Sequence, residues 1–239
     1  MISVKAGAAS DVGRVRQINE DSVFAGPNVF AVADGMGGHA AGEVASALAV
    51  ACMGKLGDRA ELKPDDLRAQ LALANQDILS AAAKQGARQG MGTTIAGLGL
   101  VHFAGAQHWA VFCIGDSRVY RFVLHTLVQM TIDHTEFGRR NIVTRALGMD
   151  PAPEPDLWVF PPTPGERFLI CSDGLTRELA DAQIADILAA QPEPQAAAEA
   201  LVRQAIEAGG RDNVTVVVVD HLLDQSEVDS DTLPRLAVS

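Results

Sequence analysis

Residues 29–35 read Val-Phe-Ala-Val-Ala-Asp-Gly, an apolar run that ends in an aspartate beside a glycine. A short apolar run bounded by turn-forming residues predicts a β-strand. The same arrangement returns as Val-Phe-Cys-Ile-Gly-Asp-Ser at 111–117 and as Phe-Leu-Ile-Cys-Ser-Asp-Gly at 168–174. A fourth aspartate, Asp212, stands just before the apolar run 214–220, at the start of a predicted strand instead of its end.

These four aspartates are able to meet in space. In an antiparallel sheet the end of one strand lies beside the start of its neighbour, so one rim can carry all four side chains. Each aspartate alone is explained as well by a turn, since Asp bonds to nearby backbone and Gly tolerates positive φ. Together, however, four carboxylates at one rim repel one another unless a cation lies between them.

The residue types indicate which cation and which chemistry. Oxygen ligands without accompanying His or Cys favour Mg²⁺ or Mn²⁺ over zinc or copper. Two such ions can hold a water between them, lower its pKa and bind the oxygens of a phosphoryl group. Phosphate monoester hydrolysis is among the slowest uncatalysed reactions. Metal ions would speed it by supplying a hydroxide as the nucleophile and by neutralising the negative charge of the phosphate.

Composition and charge narrow the class of protein. Of the 239 residues 48% are hydrophobic, which is enough to bury a core. The 30 Asp and Glu residues outnumber the 19 Lys and Arg residues and give a net charge of −11. That charge repels nucleic acid and anionic membranes, so neither is expected as a partner.

The cysteines and the apolar runs bear on compartment and domain organisation. Cys52, Cys113 and Cys171 lie far apart in apolar runs, which predicts buried reduced thiols. No apolar run approaches the ~20 residues of a membrane span and no leader is recognised, so a cytoplasmic protein is expected. We expect one domain over 1–223 and a disordered acidic tail over 224–239.

The pattern along the chain predicts an α+β fold in which helices cover the outer faces of sheet. Tight turns containing Gly or Asp join several predicted strands and favour antiparallel pairing. In the first helix, periodicity places Val44, Leu48, Ala51 and Cys52 on one face. The predicted helices are 41–55, 65–84 and 194–208, and the predicted strands are 29–33, 94–103, 109–114, 118–124, 157–160, 168–171 and 214–220.

Six short stretches follow one another in an order that is specific, although each alone is a weak signal. They are Gly-Arg-Val-Arg-Gln-Ile-Asn-Glu-Asp at 13–21, Asp-Gly-Met-Gly-Gly-His at 34–39, Gly-Thr-Thr at 92–94, Gly-Asp-Ser-Arg at 115–118, Ser-Asp-Gly-Leu at 172–175 and Arg-Asp-Asn-Val-Thr at 211–215. In this order the chain resembles the metal-dependent Ser/Thr protein phosphatases of the PPM, or type 2C, family in its small bacterial form. The resemblance covers residues 5–221.

The resemblance implies a fold of two antiparallel sheets packed face to face and flanked by helix pairs, a four-layer αββα sandwich with metal ions at one end. By that similarity Asp34 bridges two metal ions and the Gly35 carbonyl holds the first. Asp173 and Asp212 complete the second metal site. Asp116 forms a third, weaker site together with Asp173.

The resemblance also assigns helper residues around the metals. Arg16 is expected to bind the substrate phosphate, because a guanidinium fork matches two phosphate oxygens. Asp21 and Glu20 are expected to order metal-bound waters. His39 is a candidate catalytic acid for the leaving group, with water as the alternative. In the eukaryotic branch that histidine directly follows the Asp-Gly pair, where this chain has Met36.

One segment departs from the bacterial pattern. Bacterial members usually carry a long flap between an Asp-His-Ser/Thr motif and an Asn-x-x-Thr-Arg-Ala-Leu-Gly motif. Here these motifs lie at 133–135 and 141–148, with five residues between them. We therefore expect a shortened flap, which puts substrate selection and the third metal site in question.

Two alternatives stay open at this point. Gly-Met-Gly-Gly-His-Ala at 35–40 fits the loose dinucleotide-binding pattern, although Asp34 would then lie beside a pyrophosphate. A catalytically inactive phosphatase-like domain that binds a phosphoprotein or a partner would show the same resemblance. The presence of all four aspartates together with Arg16 disfavours it.

The sequence therefore predicts a manganese- or magnesium-dependent phosphatase that acts on phosphoserine or phosphothreonine in proteins. Two metal ions are expected as cofactors, with a third on the strength of the resemblance. The implied partners are a bacterial Ser/Thr kinase and its phosphorylated targets.

Overall fold

The computed structural model describes residues 2–37, 41–57, 59–84 and 90–222, which form an α+β sandwich. The helices are α1 Ala41–Gly54, α2 Pro64–Lys84, α3 Asp173–Glu178, α4 Asp181–Ala190 and α5 Pro194–Ala208. The strands are β1 Val4–Asp11, β2 Asp21–Ala25, β3 Val29–Met36, β4 Gly92–Thr93, β5 Ile95–Phe103, β6 Ala106–Ile114, β7 Arg118–Val123, β8 Thr126–Gln129, β9 Thr135–Glu136, β10 Arg139–Val143, β11 Asp156–Phe160, β12 Arg167–Cys171 and β13 Val214–His221.

Two antiparallel sheets form the centre of the molecule. One has five strands in the order β1-β13-β12-β7-β8, and the other has six in the order β11-β6-β5-β3-β2. The short strand β4 pairs with β3, and β9 pairs with β10 as a separate hairpin. The predicted antiparallel α+β architecture is confirmed.

Both faces of the central strands are buried, which explains why they read as uninterrupted apolar runs. In β3, Phe30 and Val32 belong to the core between the sheets, whereas Val29 and Ala31 pack against α1 and α2. Strand β12 follows the same alternation on its own sheet, where the outward residues contact α4 and α5. The core between the sheets contains Phe30, Val32, Leu98, Trp109, Val111, Phe168, Ile170, Val217 and Val219. This alternation produces the four layers αββα.

The buried face of α1 differs from the predicted one. Cys52 is buried as predicted, but Ala51 is exposed and Val44 and Leu48 are only partly buried, while Ala45 and Ala49 are fully buried. Small residues face the sheet because α1 passes very close to β3. A side chain in place of the glycine at position 42 would clash with the backbone of β3. The short distance between α1 and β3 therefore determines which residues of the helix are buried, more than their hydrophobicity does.

Several elements were not predicted. Strand β1 reads Val-Lys-Ala-Gly-Ala-Ala-Ser-Asp, a sequence of low β-propensity that forms a strand because it pairs along its length with β13. Helices α3 and α4 have six and ten residues, too few for a clear helical period. The predicted helix at 194–208 has the bounds that the structure gives α5.

Three further expectations concern the C-terminal tail, membrane spans and the cysteines. The predicted tail at 224–239 lies outside the described residues. Among the helices that the structure describes, none combines the length and apolarity needed to cross a membrane. The three cysteines are buried and free, as predicted.

A buried polar cluster closes the end of the sandwich opposite the aspartate-bearing strand ends. Glu166, which is 1% exposed, accepts hydrogen bonds from Trp109 Nε1 at 2.7 Å, Arg121 Nε at 2.7 Å and the Thr163 amide at 2.8 Å. Trp109 packs edge-on against Phe168 in the core between the sheets, with ring centroids 5.3 Å apart. Glu166 thus ties both sheets and a loop together.

We expect Glu166→Ala to lower the free energy of unfolding by about 3 kcal/mol, because it leaves the indole and guanidinium donors without their buried partner. Urea denaturation measures the change. The matched control is Glu154→Ala, which removes an exposed carboxylate paired with Arg68 and should cost less than about 0.5 kcal/mol. Equal losses in the two variants would contradict this account of the cluster.

Candidate active site

A cavity of about 460 Å³ opens at one end of the sandwich, where strand ends of both sheets meet. The four predicted metal-binding aspartates all line it, together with Gly35, Glu20 and Arg16. The structure thus brings these residues together, while their ligand roles stay predictions. The lining is formed by Arg16, Glu20, Asp34, Gly35, Met36, Gly37, Thr94, Asp116, Ile142, Val143, Asp173, Arg177 and Asp212.

The Gly-Thr-Thr stretch at 92–94 fixes the first two aspartates relative to each other. Thr93 Oγ1 donates to the Asp34 carbonyl at 2.9 Å, and the Asp34 amide donates to Thr94 Oγ1 at 3.2 Å. The same Thr94 hydroxyl lies 2.7 Å from the hydroxyl of Ser117, next to Asp116. Two hydroxyl groups therefore link the end of β3 to the loop between β6 and β7.

The glycines that follow Asp34 and Asp173 allow a neighbouring backbone segment to approach closely, and they do not form turns. Gly35 lies inside β3, where a Cβ atom would be 2.2 Å from the carbonyl oxygen of Gly42. Gly174 lies in α3, where a Cβ atom would be 1.9 Å from the carbonyl oxygen of Asn213. The simple turn interpretation is wrong at both places. It holds at Gly115, whose φ of +111° suits glycine.

Asn213 holds the loop that carries Arg16. Its Oδ1 accepts from the Glu20 amide at 2.9 Å, and its Nδ2 donates to the carbonyls of Val12 at 2.9 Å and Ile18 at 3.0 Å. This places Arg16, whose side chain is half exposed, at the mouth of the cavity. Arg16 Nε lies 2.9 Å from Asp212 Oδ1, and its Nη2 donates to Oδ2 at 3.1 Å.

Asp21 lies behind the cavity, directly opposite Asp34 in the register of β2 and β3. Its Oδ2 accepts a hydrogen bond from Ser172 Oγ at 2.7 Å. Its buried Oδ1 has no hydrogen-bond partner among the described residues. Burial raises the pKa of Asp21 to about 6, and the hydrogen bond from Ser172 opposes the rise. An unpartnered buried carboxylate oxygen needs a donor, which a metal-bound water would supply.

Burial and the repulsion of neighbouring carboxylates raise the pKa values of Asp34 and Asp173. The pKa of Asp34 is well above its usual range because of burial and then the charges of Asp21 and Asp173. Burial and the charge of Asp116 raise the pKa of Asp173 to about 7. Burial also raises the pKa of Asp116. Cations that stabilise the ionised carboxylates fit this environment, and an all-oxygen donor set suits Mg²⁺ or Mn²⁺.

Arginines occupy the positions next to these carboxylates. Arg177, in the last turn of α3, contacts the carboxylate of Asp173 and donates to Asp212 Oδ2 at 2.5 Å. Across the described part of the chain, no three His, Cys, Asp or Glu side chains converge closely enough to form a finished metal-ligand cluster. Its spacing of four residues from Asp173 is the one sequence feature that marks Arg177.

The histidine of the Asp-His-Thr motif connects the cavity to its rim. His134 Nδ1 accepts from the Gly115 amide at 3.0 Å, and its Nε2 lies 3.0 Å from Asp156 Oδ2. The His134 carbonyl accepts from the Thr144 amide at 2.7 Å. His134 therefore joins the loop before Asp116 to the chain after β10.

The segment predicted as a shortened flap forms the hairpin of β9 and β10. Ile142 and Val143, at the end of β10, line the cavity. Phe137, at the turn, is fully exposed. The predicted catalytic His39 lies outside the described residues, so its placement stays a prediction.

The topology argues against the dinucleotide alternative. That fold requires parallel strands joined by crossover helices, whereas β3 pairs antiparallel with both β2 and β5. The Asp34-Gly35 pair also belongs to the carboxylate-lined cavity and not to a phosphate-binding turn.

Known proteins are similar to this chain in sequence and in fold. A family model described as protein phosphatase 2C matches residues 14–208. Serine/threonine protein phosphatase PstP of Mycobacterium tuberculosis is 40% identical over 238 residues, covering 91% of this chain and 45% of that protein. The chain thus spans about half the length of that relative. Serine/threonine phosphatase stp of Listeria monocytogenes is 34% identical over 250 residues, covering 92% of this chain and 97% of that protein.

Solved structures agree with these matches. The catalytic domain of PstP in complex with two manganese ions gives a TM-score of 0.85 at 38% identity, covering 93% of this chain and 100% of that one. PppA of Pseudomonas aeruginosa gives 0.83 at 33% identity, covering 91% and 98%. With the family model matching most of its length and the sandwich shared with these structures, the chain belongs to the protein phosphatase 2C family.

Proposed function

We propose that this chain is a metal-dependent protein phosphatase that hydrolyses phosphoserine and phosphothreonine, with Mn²⁺ or Mg²⁺ as its cofactor. The observation that carries the proposal is the cavity lined by Asp34, Asp116, Asp173 and Asp212, with Arg16 at its mouth. The relatives named as Ser/Thr phosphatases and the two manganese ions of the PstP structure support it.

Different residues of the cavity would bind different metal ions. Asp34 and the Gly35 carbonyl would hold one ion, Asp173 and Asp212 a second, and Asp116 with Asp173 a third. When bound, these ions supply Lewis acidity and a water of lowered pKa. Asp21 would orient water from behind the cavity through its unpartnered Oδ1.

Arg16 would bind the substrate phosphate. Its half-exposed guanidinium fork already pairs with a carboxylate of the cavity through two nitrogens, a geometry that a phosphate can take over. His39, or water, would protonate the leaving group. A catalytically inactive domain would not require this full set of residues around one cavity.

The proposed substrates are phosphorylated proteins, including a bacterial Ser/Thr kinase and its targets. The open mouth of the cavity and the exposed rim around Arg16 suit a phosphorylated segment of a protein chain. A cytoplasmic setting stays part of the proposal, and the buried free cysteines accord with it.

Chelation of the metal should abolish activity reversibly. We expect hydrolysis of a phosphothreonine peptide to stop in EDTA and to return with Mn²⁺, and Asp34→Asn to lower the rate by at least about 10³-fold in Mn²⁺. Phosphate release measures the rate, and Asp65→Asn on the exposed side of α2 is the matched control. Full turnover in the chelated enzyme would disprove metal dependence.

The metal-free protein should be less stable at higher pH. Because the pKa of Asp173 is raised to about 7 in the folded state, the folded protein binds protons more tightly than the unfolded chain. Stability therefore falls as the pH rises from about 4 to about 7. We expect Asp34→Asn, which removes one repelling charge, to melt above the wild type in EDTA at about pH 8.

The same thermal scans contain their own control. Mn²⁺ should raise the melting temperature of the wild type more than that of Asp34→Asn, since the variant lacks one proposed ligand. If Asp34→Asn melts no higher than the wild type in EDTA, carboxylate repulsion does not govern the stability of this cavity.

Substitution of Arg16 should weaken substrate binding specifically. We expect Arg16→Ala to lower kcat/KM for a phosphothreonine peptide by about 10²-fold, because charged bidentate hydrogen bonds to phosphate are lost. Arg14→Ala is the matched control, since Arg14 lies on the same loop but lines a different groove beside α5. Equal effects of the two substitutions would show that general loop charge, and not Arg16, binds the phosphate.

A further inference from the structure

Arg177 is a permanent positive charge inside the carboxylate cavity. It lies one helical turn after Asp173 in α3 and pairs with that carboxylate. Its Nη1 also donates to Asp212 Oδ2 at 2.5 Å. Arg177 therefore bridges two of the four aspartates, which are the pair proposed to complete the second metal site.

The position of Arg177 is fixed by its surroundings. Helix α3 is anchored at its far end by Glu178, which accepts hydrogen bonds from Arg211 Nε at 2.9 Å and from the Arg211 amide at 2.9 Å. At its near end, Gly174 contacts the Asn213 carbonyl closely. With both ends of α3 held against the 211–213 loop, the Arg177 side chain has a short path to both carboxylates.

The guanidinium competes for the oxygens that a divalent ion would need. Arg177 is 43% exposed, whereas Asp173 and Asp212 are 13% and 15% exposed, so their ion pairs are partly shielded from solvent. The charge of Arg177 also lowers the pKa values of Asp116 and Asp173 against the larger effect of burial. An arginine cannot lose its charge at physiological pH, so this competition is always present.

We propose that Arg177 acts as a resident cation that competes with divalent ions for Asp173 and Asp212 and so weakens binding of the ion that these two carboxylates would hold. The inference rests on the proposed metal-dependent function. It assigns to Arg177 the control of metal occupancy: the site of Asp173 and Asp212 fills only when the metal concentration is high enough to displace the guanidinium.

Direct binding of Mn²⁺ tests this inference without any turnover. Free Mn²⁺ is measured by electron paramagnetic resonance during titration of the full chain, for the wild type, Arg177→Gln and Arg177→Lys. We expect at least one Mn²⁺ affinity of Arg177→Gln to rise about tenfold or more, because a neutral side chain no longer competes for Asp173 and Asp212. Arg177→Lys keeps a positive charge but loses the two-nitrogen fork, so it should tighten Mn²⁺ binding by less than Arg177→Gln does.

A matched control separates a local effect from a general change in net charge. Arg68→Ala removes an arginine of similar exposure, 39%, that pairs with Glu154 away from the cavity, and it should leave every Mn²⁺ affinity unchanged. Circular dichroism checks that each variant is folded. If Arg177→Gln does not fold, Arg177→Met supplies the neutral side chain.

The possible outcomes separate the role of Arg177 from the proposed metal-dependent function. Absence of Mn²⁺ binding by the wild type would overturn both. Mn²⁺ binding by the wild type with unchanged or weaker binding by Arg177→Gln would overturn the role of Arg177 alone. Tightening of equal size in Arg177→Gln and Arg177→Lys would also overturn it, because the charge would then not be the cause.

Discussion

Mutual repulsion between partly buried carboxylates is the constraint that the rest of this structure has to accommodate. Asp34 and Asp173 have raised pKa values because they are withdrawn from water and face other carboxylates, and burial raises the pKa of Asp116. Left alone, such groups would spread apart or take up protons. The two sheets prevent spreading because their common core fixes the strand ends from which the aspartates project.

Neutral side chains hold the aspartate-bearing loops in place where the charges cannot. Thr94 bonds to Ser117 and Ser172 bonds to Asp21, and Asn213 bonds to the backbone of the Arg16 loop. Each of these residues stands in one of the short motifs, next to or near an aspartate. The motifs therefore contain two kinds of residue: a carboxylate that faces the cavity, and a hydroxyl or amide that ties one loop to another.

The parts of the fold that could be predicted from sequence are those with a local cause. Strands β3, β12 and β13 are buried on both faces and so form apolar runs, and the aspartates mark where the runs end or begin. Strand β1 could not be predicted, because its strand conformation comes from pairing with β13, some 200 residues away. The buried face of α1 depends on how closely the helix approaches β3, and the hydrophobic periodicity of the sequence carries no information about that distance.

The same distinction applies to the cavity. Its aspartates are recognisable by spacing, but their partners are not, since Ser172 and Asp21 are 151 residues apart in the chain. The bonds of His134 to Gly115 and of Arg177 to Asp212 likewise join separate motifs. Sequence patterns can thus indicate which residues carry charge, whereas which charges share a partner depends on the fold.

Asp212 is a partner shared within the cavity, because both Arg16 and Arg177 bond to it. A ligand that takes the oxygens of Asp212 leaves both guanidinium groups without this acceptor, and an anion that takes Arg16 leaves one fewer cation on Asp212. Binding of cations to the carboxylates and binding of phosphate to Arg16 are then linked through one side chain. Thermodynamic linkage requires the effect to be reciprocal, so each kind of ligand favours the binding of the other.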